Sequence, residues 1–152
     1  MKKQFELLRI TRENILKTVE GLSVVQLNQI PDGFNNNIVW NLAHLVATQQ
    51  LLVYGLSGKA IQVSQELINK NRKGTKPEET YTEELLEEIK TLLQTTVEQM
   101  EKHYESDHFS GDFKVYPTSY GVTLNSVEEA IAFNNLHEGV HFGTIKAIKA
   151  LV

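Results

Sequence analysis

Three residues in the stretch NLHEGVHFGTI (residues 135–145) have the types and the spacing of a metal site. His137, Glu138 and His141 form a His-Glu-x-x-His pattern, which on a helix is the zinc signature of many metalloproteases, with the glutamate as general base. Residues four apart lie on one face of a helix, so both imidazoles can bind one ion. The chain has no cysteine, so His, Asp or Glu side chains must supply any further ligand.

A protease needs a third zinc ligand downstream of this helix, and the chain does not provide one. Only eleven residues follow His141, and none of them is His, Asp or Glu. The extended pattern His-Glu-x-x-His-x-x-Gly-x-x-His also fails, because Thr144 and Ala147 occupy the positions of its glycine and its last histidine. The short pattern alone is a weak signal, so proteolysis is the disfavoured interpretation.

His44 is the best candidate for the third ligand. It lies four residues after Trp40 in a strongly apolar predicted helix. A single histidine in such a helix is more often a hydrogen-bonded core residue, and the same interpretation is open for His137 and His141. If the second and last helices face each other, three neutral imidazoles can hold a divalent metal and leave positions open for water or substrate. That is the arrangement of a catalytic site.

Polar residues near these histidines are candidates for supporting the chemistry. Asn134 and Asn41 each lie three residues before a proposed ligand and are the more plausible polar neighbours. Glu138 is rotated by about 100° around the helix from His137, and we expect it to be solvated rather than to support a ligand. The predicted inward stripe of the last helix consists of Val127, Ile131, Asn134, His137, His141, Thr144 and Ile148.

The composition predicts one globular domain over residues 1–152. Hydrophobic residues make up 41% of the chain and charged residues 22%, which is typical of soluble proteins. A net charge of -4 argues against nucleic-acid binding, which needs a basic face. The amino terminus lacks the apolar run of a signal peptide, and polar side chains interrupt the most apolar segment, residues 38–56. We therefore expect no membrane span and a cytoplasmic location.

Helical periodicity dominates the chain and predicts an all-α fold. Capping-box patterns mark two helix starts, one at Thr80 with Glu83 and one at Ser126 with Glu129. The predicted helices cover residues 3–20, 38–54, 60–69, 80–104 and 126–152. This pattern indicates an up-and-down type of four-helix bundle, with a short extra helix and a long loop before the last helix.

The long loop, residues 105–125, has no helical period. A loop of this length inside a compact domain is usually functional or contains strands, and its FKVY segment is a candidate for a short extended segment. His103 and His108 flank the start of this loop, and we interpret both as solvated residues outside the metal site.

Two segments resemble the DinB superfamily of small helical-bundle metalloproteins. One is IVWNLAHLVATQQ (residues 38–50), with its Trp-x-x-x-His core. The other is SVEEAIAFNNLHEGVHFGTIKAIK (residues 126–149), with its His-x-x-x-His-x-Gly-x-Ile pattern. The resemblance implies that His44, His137 and His141 bind a divalent metal, commonly zinc or nickel. It also implies a relationship to S-transferases that use bacillithiol, mycothiol or glutathione, and a homodimeric state.

The chemistry of a three-histidine site agrees with that resemblance. Three neutral ligands leave the full charge of a divalent metal available, which can hold a thiol as its thiolate or lower the pKa of a bound water toward about 7. We expect a metal-dependent transferase that activates a low-molecular-weight thiol cosubstrate against a small-molecule electrophile. The alternatives are a hydrolase that uses metal-bound hydroxide, with Glu138 as a possible proton acceptor, and a non-catalytic, stress-associated metal-binding module.

The first helix carries apolar residues over an arc wider than one stripe. A surface helix of a monomer usually has a narrower apolar face, and a wide exposed patch often marks a partner site. This favours a homodimer formed through helices that flank the metal site, although the loop after Tyr104 is an alternative cover for the helix. The apolar arc consists of Phe5, Leu7, Leu8, Ile10, Ile15 and Leu16.

Overall fold

The structure, a computed structural model, describes residues 1–152 and is mostly helical with one small sheet. The helices are α1 (Lys2–Val19), α2 (Val24–Asn28), α3 (Ile38–Gln49), α4 (Gln65–Asn71), α5 (Glu83–Glu105) and α6 (Val127–Lys149). The strands β1 (Tyr116–Pro117) and β2 (Thr123–Leu124) pair as an antiparallel hairpin. The predicted mostly helical fold is confirmed, although α2 has no counterpart among the predicted helices.

The four long helices contact one another in a ring, in which α1 and α3 each touch both α5 and α6. α3 and α5 run in the same direction, because Gln49 donates to the carbonyl of Thr96 while Tyr54, further along the chain, hydrogen-bonds to His103. Successive helices of an up-and-down bundle are antiparallel, so the predicted up-and-down order is wrong at this step. The long connection over residues 56–82, which contains α4, allows the chain to return before α5 begins.

α1 and α6 are also parallel neighbours. Asn135 near the middle of α6 donates to Gln4 near the start of α1, and Lys149 at the end of α6 donates to the carbonyl of Thr18 at the end of α1. The first and last long helices therefore pack side by side and point the same way. This contact brings the amino-terminal helix next to the helix that carries two of the candidate ligands.

Side-chain caps define where the long helices begin. Ser126 caps α6 as predicted, because its hydroxyl accepts a hydrogen bond from the backbone N–H of Glu129 at 3.3 Å. The predicted cap at Thr80 is wrong, since α5 begins two residues later. There Thr82 caps the helix by accepting from the backbone N–H of Leu85 at 3.3 Å. Both caps satisfy N–H groups that the first helical turn leaves without partners.

α3 continues into a widened, π-helical turn over Gln50–Gly55, in which the N–H of Leu56 bonds to the carbonyl of Leu51 at 3.2 Å. The predicted end of this helix near Tyr54 is therefore close to the end of the whole helical segment. π-helical turns inside helices are frequent at functional sites, and this one forms part of a cavity wall. The predicted short helix over residues 60–69 corresponds to α4, which begins only at Gln65.

α3 is the central element of the core, since every residue from 38 to 47 is buried. None of the helices combines the length and the hydropathy that a membrane span requires. The predicted inward stripe of α6 is wrong in part, because its deepest line passes one residue beside His137, at Glu138. The buried residues of α6 are Ala130, Ile131, Asn134, Glu138, Ile145 and Ile148.

Candidate metal centre

His44 lies in the middle of α3, buried to 4% exposure and fixed on both sides. The Trp40 ring, one turn earlier, stacks on the imidazole with centroids 4.5 Å apart and planes 11° apart. The Nδ1 atom lies 2.6 Å from the backbone carbonyl of Asn71 at the end of α4. A carbonyl oxygen can only accept, so Nδ1 carries the proton and Nε2 has a free lone pair.

His137 and His141 occupy successive turns of α6, with ring centroids 4.4 Å apart. Nδ1 of His141 lies 2.8 Å from the side-chain oxygen of Asn41. The amide nitrogen of Asn41 donates to the backbone carbonyl of Asn37 at 2.7 Å. This hydrogen bond orients the side-chain oxygen of Asn41 toward His141. Nδ1 of His141 therefore donates, and its Nε2 is free. His137 has no such partner, because its Nδ1 is buried without a hydrogen bond.

The three imidazoles meet between α3 and α6, with one nitrogen of each lying within 4.8 Å of the others. Nε2 of His44 and Nε2 of His137 are 3.2 Å apart. Burial lowers the pKa of His137 to about 3 and that of His141 to about 4, and burial also lowers the pKa of His44. At neutral pH all three rings are uncharged, as metal ligands must be.

These residues fit a divalent metal in the features that ligand histidines require. His44 and His141 each donate a hydrogen bond from Nδ1–H to an oxygen atom. In metal sites this outer contact fixes the tautomer and the orientation of the ring. Their free Nε2 atoms converge with a nitrogen of His137, so the three histidines can hold one metal ion. Thr48, one turn after His44, places its hydroxyl 3.2 Å from Nε2 of that ring, as close as Nε2 of His137.

A cavity of about 720 Å³ opens onto the three histidines. Leu52 and Leu56, in and after the π-helical turn of α3, form an apolar wall together with Phe133 of α6. The long loop before α6 contributes another wall, in which Thr118 and Ser119 of the β1–β2 connection bring hydroxyl groups. The loop that lacks helical periodicity in the sequence therefore borders the candidate site.

The family model of the DinB superfamily matches residues 7–145. This chain belongs to the DinB superfamily. A crystal structure described as the conserved protein of locus from Enterococcus faecalis is similar in fold, with a TM-score of 0.68 and 15% sequence identity. The similarity covers 99% of this chain and 95% of that one. No curated protein gives a significant match. The likeness to the Enterococcus faecalis protein concerns the fold alone.

In this DinB-superfamily chain Glu138 is not solvated, and the expectation that it is solvated is wrong. The residue has 0% exposure, and Oε1 accepts hydrogen bonds from Nε and Nη2 of Arg12 at 2.9 and 2.6 Å. Asn134 contacts the same oxygen through its amide nitrogen at 3.4 Å. Glu138 and Asn134 therefore belong to a core ion-pair network, and among the three polar candidates Asn41 alone hydrogen-bonds to one of the three histidines.

Arg12 was not identified from the sequence as a functional or structural residue. Its Nη1 donates to the carbonyl of Leu93 at 3.0 Å and to the hydroxyl of Thr96 at 2.9 Å. One guanidinium thus joins α1, α5 and α6, and each of its three nitrogen atoms donates to an acceptor in a core where unpaired polar groups are costly. A signal was available, because Arg12 stands in the buried line of α1 that contains Phe5, Leu8, Arg12, Ile15 and Val19.

The remaining two histidines lie apart from the candidate metal centre. His108 is exposed, as expected, but His103 is half-buried, and its Nδ1 lies 2.9 Å from the hydroxyl of Tyr54. Their rings stack at 4.4 Å. Neither of them joins a group of three potential ligands, so the structure keeps them outside the site.

Proposed function

We propose that this protein is a metal-dependent transferase that activates a low-molecular-weight thiol cosubstrate for attack on a small-molecule electrophile. The observation that carries the proposal is the convergence of three neutral imidazoles at the wall of an open cavity in a chain without cysteine. A divalent ion there, zinc or nickel in our proposal, would hold an incoming thiol as its nucleophilic thiolate. The thiol must be a separate molecule, because the protein has none of its own.

The residues of the chain have distinct tasks in this scheme. His44, His137 and His141 are the ligands. Asn41 and the carbonyl of Asn71 hold two of the rings in the tautomer that presents Nε2. The apolar wall of the cavity limits water around the reacting atoms, and this strengthens electrostatic interactions within the site.

Two features favour the transferase over its alternatives. Glu138 is ion-paired with Arg12 and faces the core, which makes it unsuitable as the general base of a hydrolase. A purely structural metal site usually has four protein ligands, whereas only three potential ligands cluster here and a cavity lies at their open side. The metal-binding-module alternative therefore has less support than catalysis.

A screen of thiols against electrophiles tests the proposal. We expect metal-loaded protein to conjugate a thiol to an electrophile such as monochlorobimane, which becomes fluorescent on conjugation. Protein stripped by a chelator should be inactive until metal is restored, because without the ion nothing holds the thiolate. Turnover of an ester or amide without any thiol would instead support the hydrolase. Failure of every thiol, with metal bound, would support the binding module.

We also propose that the protein is a homodimer that associates through α1. Leu7 and Ile10 remain exposed on this helix to 49% and 46%, whereas Phe5 and Leu8 pack in a buried cluster that includes Phe109 of the long loop. The loop thus covers one side of α1 and leaves two large apolar side chains in solvent. Exposed apolar residues that cluster on one helix favour a partner surface.

Light scattering over a concentration series tests the dimer. We expect a dimeric mass for the wild type at tens of micromolar and a monomeric mass for the Leu7→Glu/Ile10→Glu variant, because two charges cannot be buried in an apolar interface. The matched control is Val25→Glu, which changes another exposed apolar residue, outside α1, with 77% exposure. A monomeric wild type would contradict the dimer and leave the metal centre unaffected.

A further inference from the structure

The charge of the cavity differs in sign from the charge of the protein. The chain has 19 acidic and 15 basic residues and a net charge of -4. The 18 residues that line the cavity nevertheless include Lys73 and Lys114 and no Asp or Glu. Neither lysine takes part in any of the ion pairs of the structure. Two cations without an ion-pair partner therefore border the cavity that opens onto the three histidines.

Lys73 belongs to a loop that is tied to the metal centre. Nε1 of Trp40 donates to the hydroxyl of Thr75 at 3.1 Å, and that hydroxyl lies 2.8 and 2.9 Å from the carbonyl oxygens of Lys70 and Arg72, to which it can donate. Trp40 in turn stacks on His44. The backbone around Lys73 is thus connected through two side chains to a candidate ligand, and Lys73, an exposed residue, lines the cavity.

Lys114 is held in place by a different element. Its backbone N–H donates to the carbonyl of Leu56, at the end of the helical segment that follows α3, at 2.7 Å. Leu56 and the neighbouring Leu52 form the apolar wall. Lys114, an exposed residue, therefore lines the cavity beside the surface that an apolar ligand would contact, and two separate elements of the fold contribute the positive charge.

We infer that the thiol cosubstrate is an organic anion, whose carboxylate or phosphate groups are bound by Lys73 and Lys114. This inference rests on the proposed function. Opposite charges raise the local concentration of the ligand and orient it in a cleft with low-dielectric walls. Ser119 lines the same cavity and its hydroxyl can donate a further hydrogen bond to the anion, whereas the hydroxyl of Thr118 already donates to the carbonyl of Val122 at 2.7 Å. The apolar wall remains available for the electrophile.

Cobalt-substituted protein gives a direct measure of thiol binding, because a thiolate bound to cobalt produces a charge-transfer absorption band. The probes are mercaptosuccinate, which carries two carboxylates, and 2-mercaptoethanol, which carries none. We expect Lys73→Gln and Lys114→Gln each to weaken mercaptosuccinate about two- to fivefold, as for solvent-accessible ion pairs, and the double variant about tenfold. The affinity for 2-mercaptoethanol should not change, and added salt should reduce the difference between the two probes.

Lys76→Gln is the matched control, because Lys76 lies in the same loop as Lys73 and does not line this cavity. If Lys76→Gln weakens mercaptosuccinate as much as the cavity variants do, or if the cavity variants bind it as the wild type does, the inference is overturned. Both results leave the thiol chemistry itself intact, so they are distinguishable from a failure of the proposed function.

If no charge-transfer band appears with either thiol, the proposed function is rejected. The anion preference is then decided with benzylsuccinate and its uncharged diamide, titrated against the fluorescence of Trp40, the single tryptophan of the chain. Tighter binding of benzylsuccinate that is lost in the Lys73→Gln/Lys114→Gln variant supports an anion site. Equal binding of the two compounds, or a preference that survives in that variant, overturns it.

Discussion

Single replacement of His44, His137 or His141 by alanine should remove most of the divalent metal from the protein. We expect about one metal ion per wild-type chain, in line with one three-histidine site. Loss of an outer contact to a ligand typically costs 10–100-fold in metal affinity, so loss of a ligand itself should cost more than about 100-fold. Elemental analysis after dialysis against metal-free buffer measures the occupancy.

His108→Ala is the control for these variants, because it removes an exposed histidine outside the cluster and should retain the metal. Since His44 is buried, circular dichroism must show that His44→Ala is still folded. Full metal occupancy in a folded His44→Ala protein would mean that α3 does not contribute a ligand. The candidate centre would then reduce to two histidines on α6, and the proposed function would lose its basis.

The three histidines could be selected from the sequence because ligand side chains leave a spacing pattern. Two of them lie four apart on one helix, and the third interrupts an apolar helix where an imidazole is costly without a partner. The acceptor for His44 could not be predicted, because it is the backbone carbonyl of Asn71. A carbonyl is present at every residue, and only the packing of α4 against α3 selects this one.

Helix direction is a second property that the sequence pattern did not provide. Apolar periodicity and capping residues locate a helix, as Ser126 does for α6, but they are the same for a helix that points either way. The direction of α5 depends on how far the preceding connection reaches, and residues 56–82 reach far enough to make α5 parallel to α3. Whether a helix runs parallel or antiparallel to its neighbour is therefore decided by tertiary packing.

The prediction that Glu138 is solvated is wrong for a geometric reason. It places both histidines toward the centre of the core, so that Glu138, about 100° around the helix from His137, would face away from the core. In the structure the histidines are half-buried at the side of α6 that faces the cavity. The fully buried position of this turn belongs to Glu138, which has 0% exposure, and Arg12 faces it from α1.

Arg12→Met should lower the free energy of unfolding by about 3–5 kcal/mol, the usual cost of removing one partner of a buried ion pair. The carboxylate of Glu138 would remain at a position with 0% exposure, deprived of its two strongest hydrogen bonds. Urea denaturation followed by circular dichroism measures the change. Lys17→Met, at an exposed position in the last turn of the same helix, is the control and should change stability by less than about 0.5 kcal/mol.

The double variant Arg12→Met/Glu138→Leu should recover much of the stability lost in Arg12→Met. Removing both charges leaves no uncompensated ion in the core, and replacing a buried pair with apolar side chains of similar volume is often neutral or stabilising. Thr96 keeps a partner in Gln49 at 2.9 Å after the guanidinium is gone. If the double variant is as unstable as the sum of the two single variants, the charges are not coupled. Retained metal in the folded double variant would show that this network supports the helices and not the three histidines, whereas loss of metal would assign it a role in positioning α6.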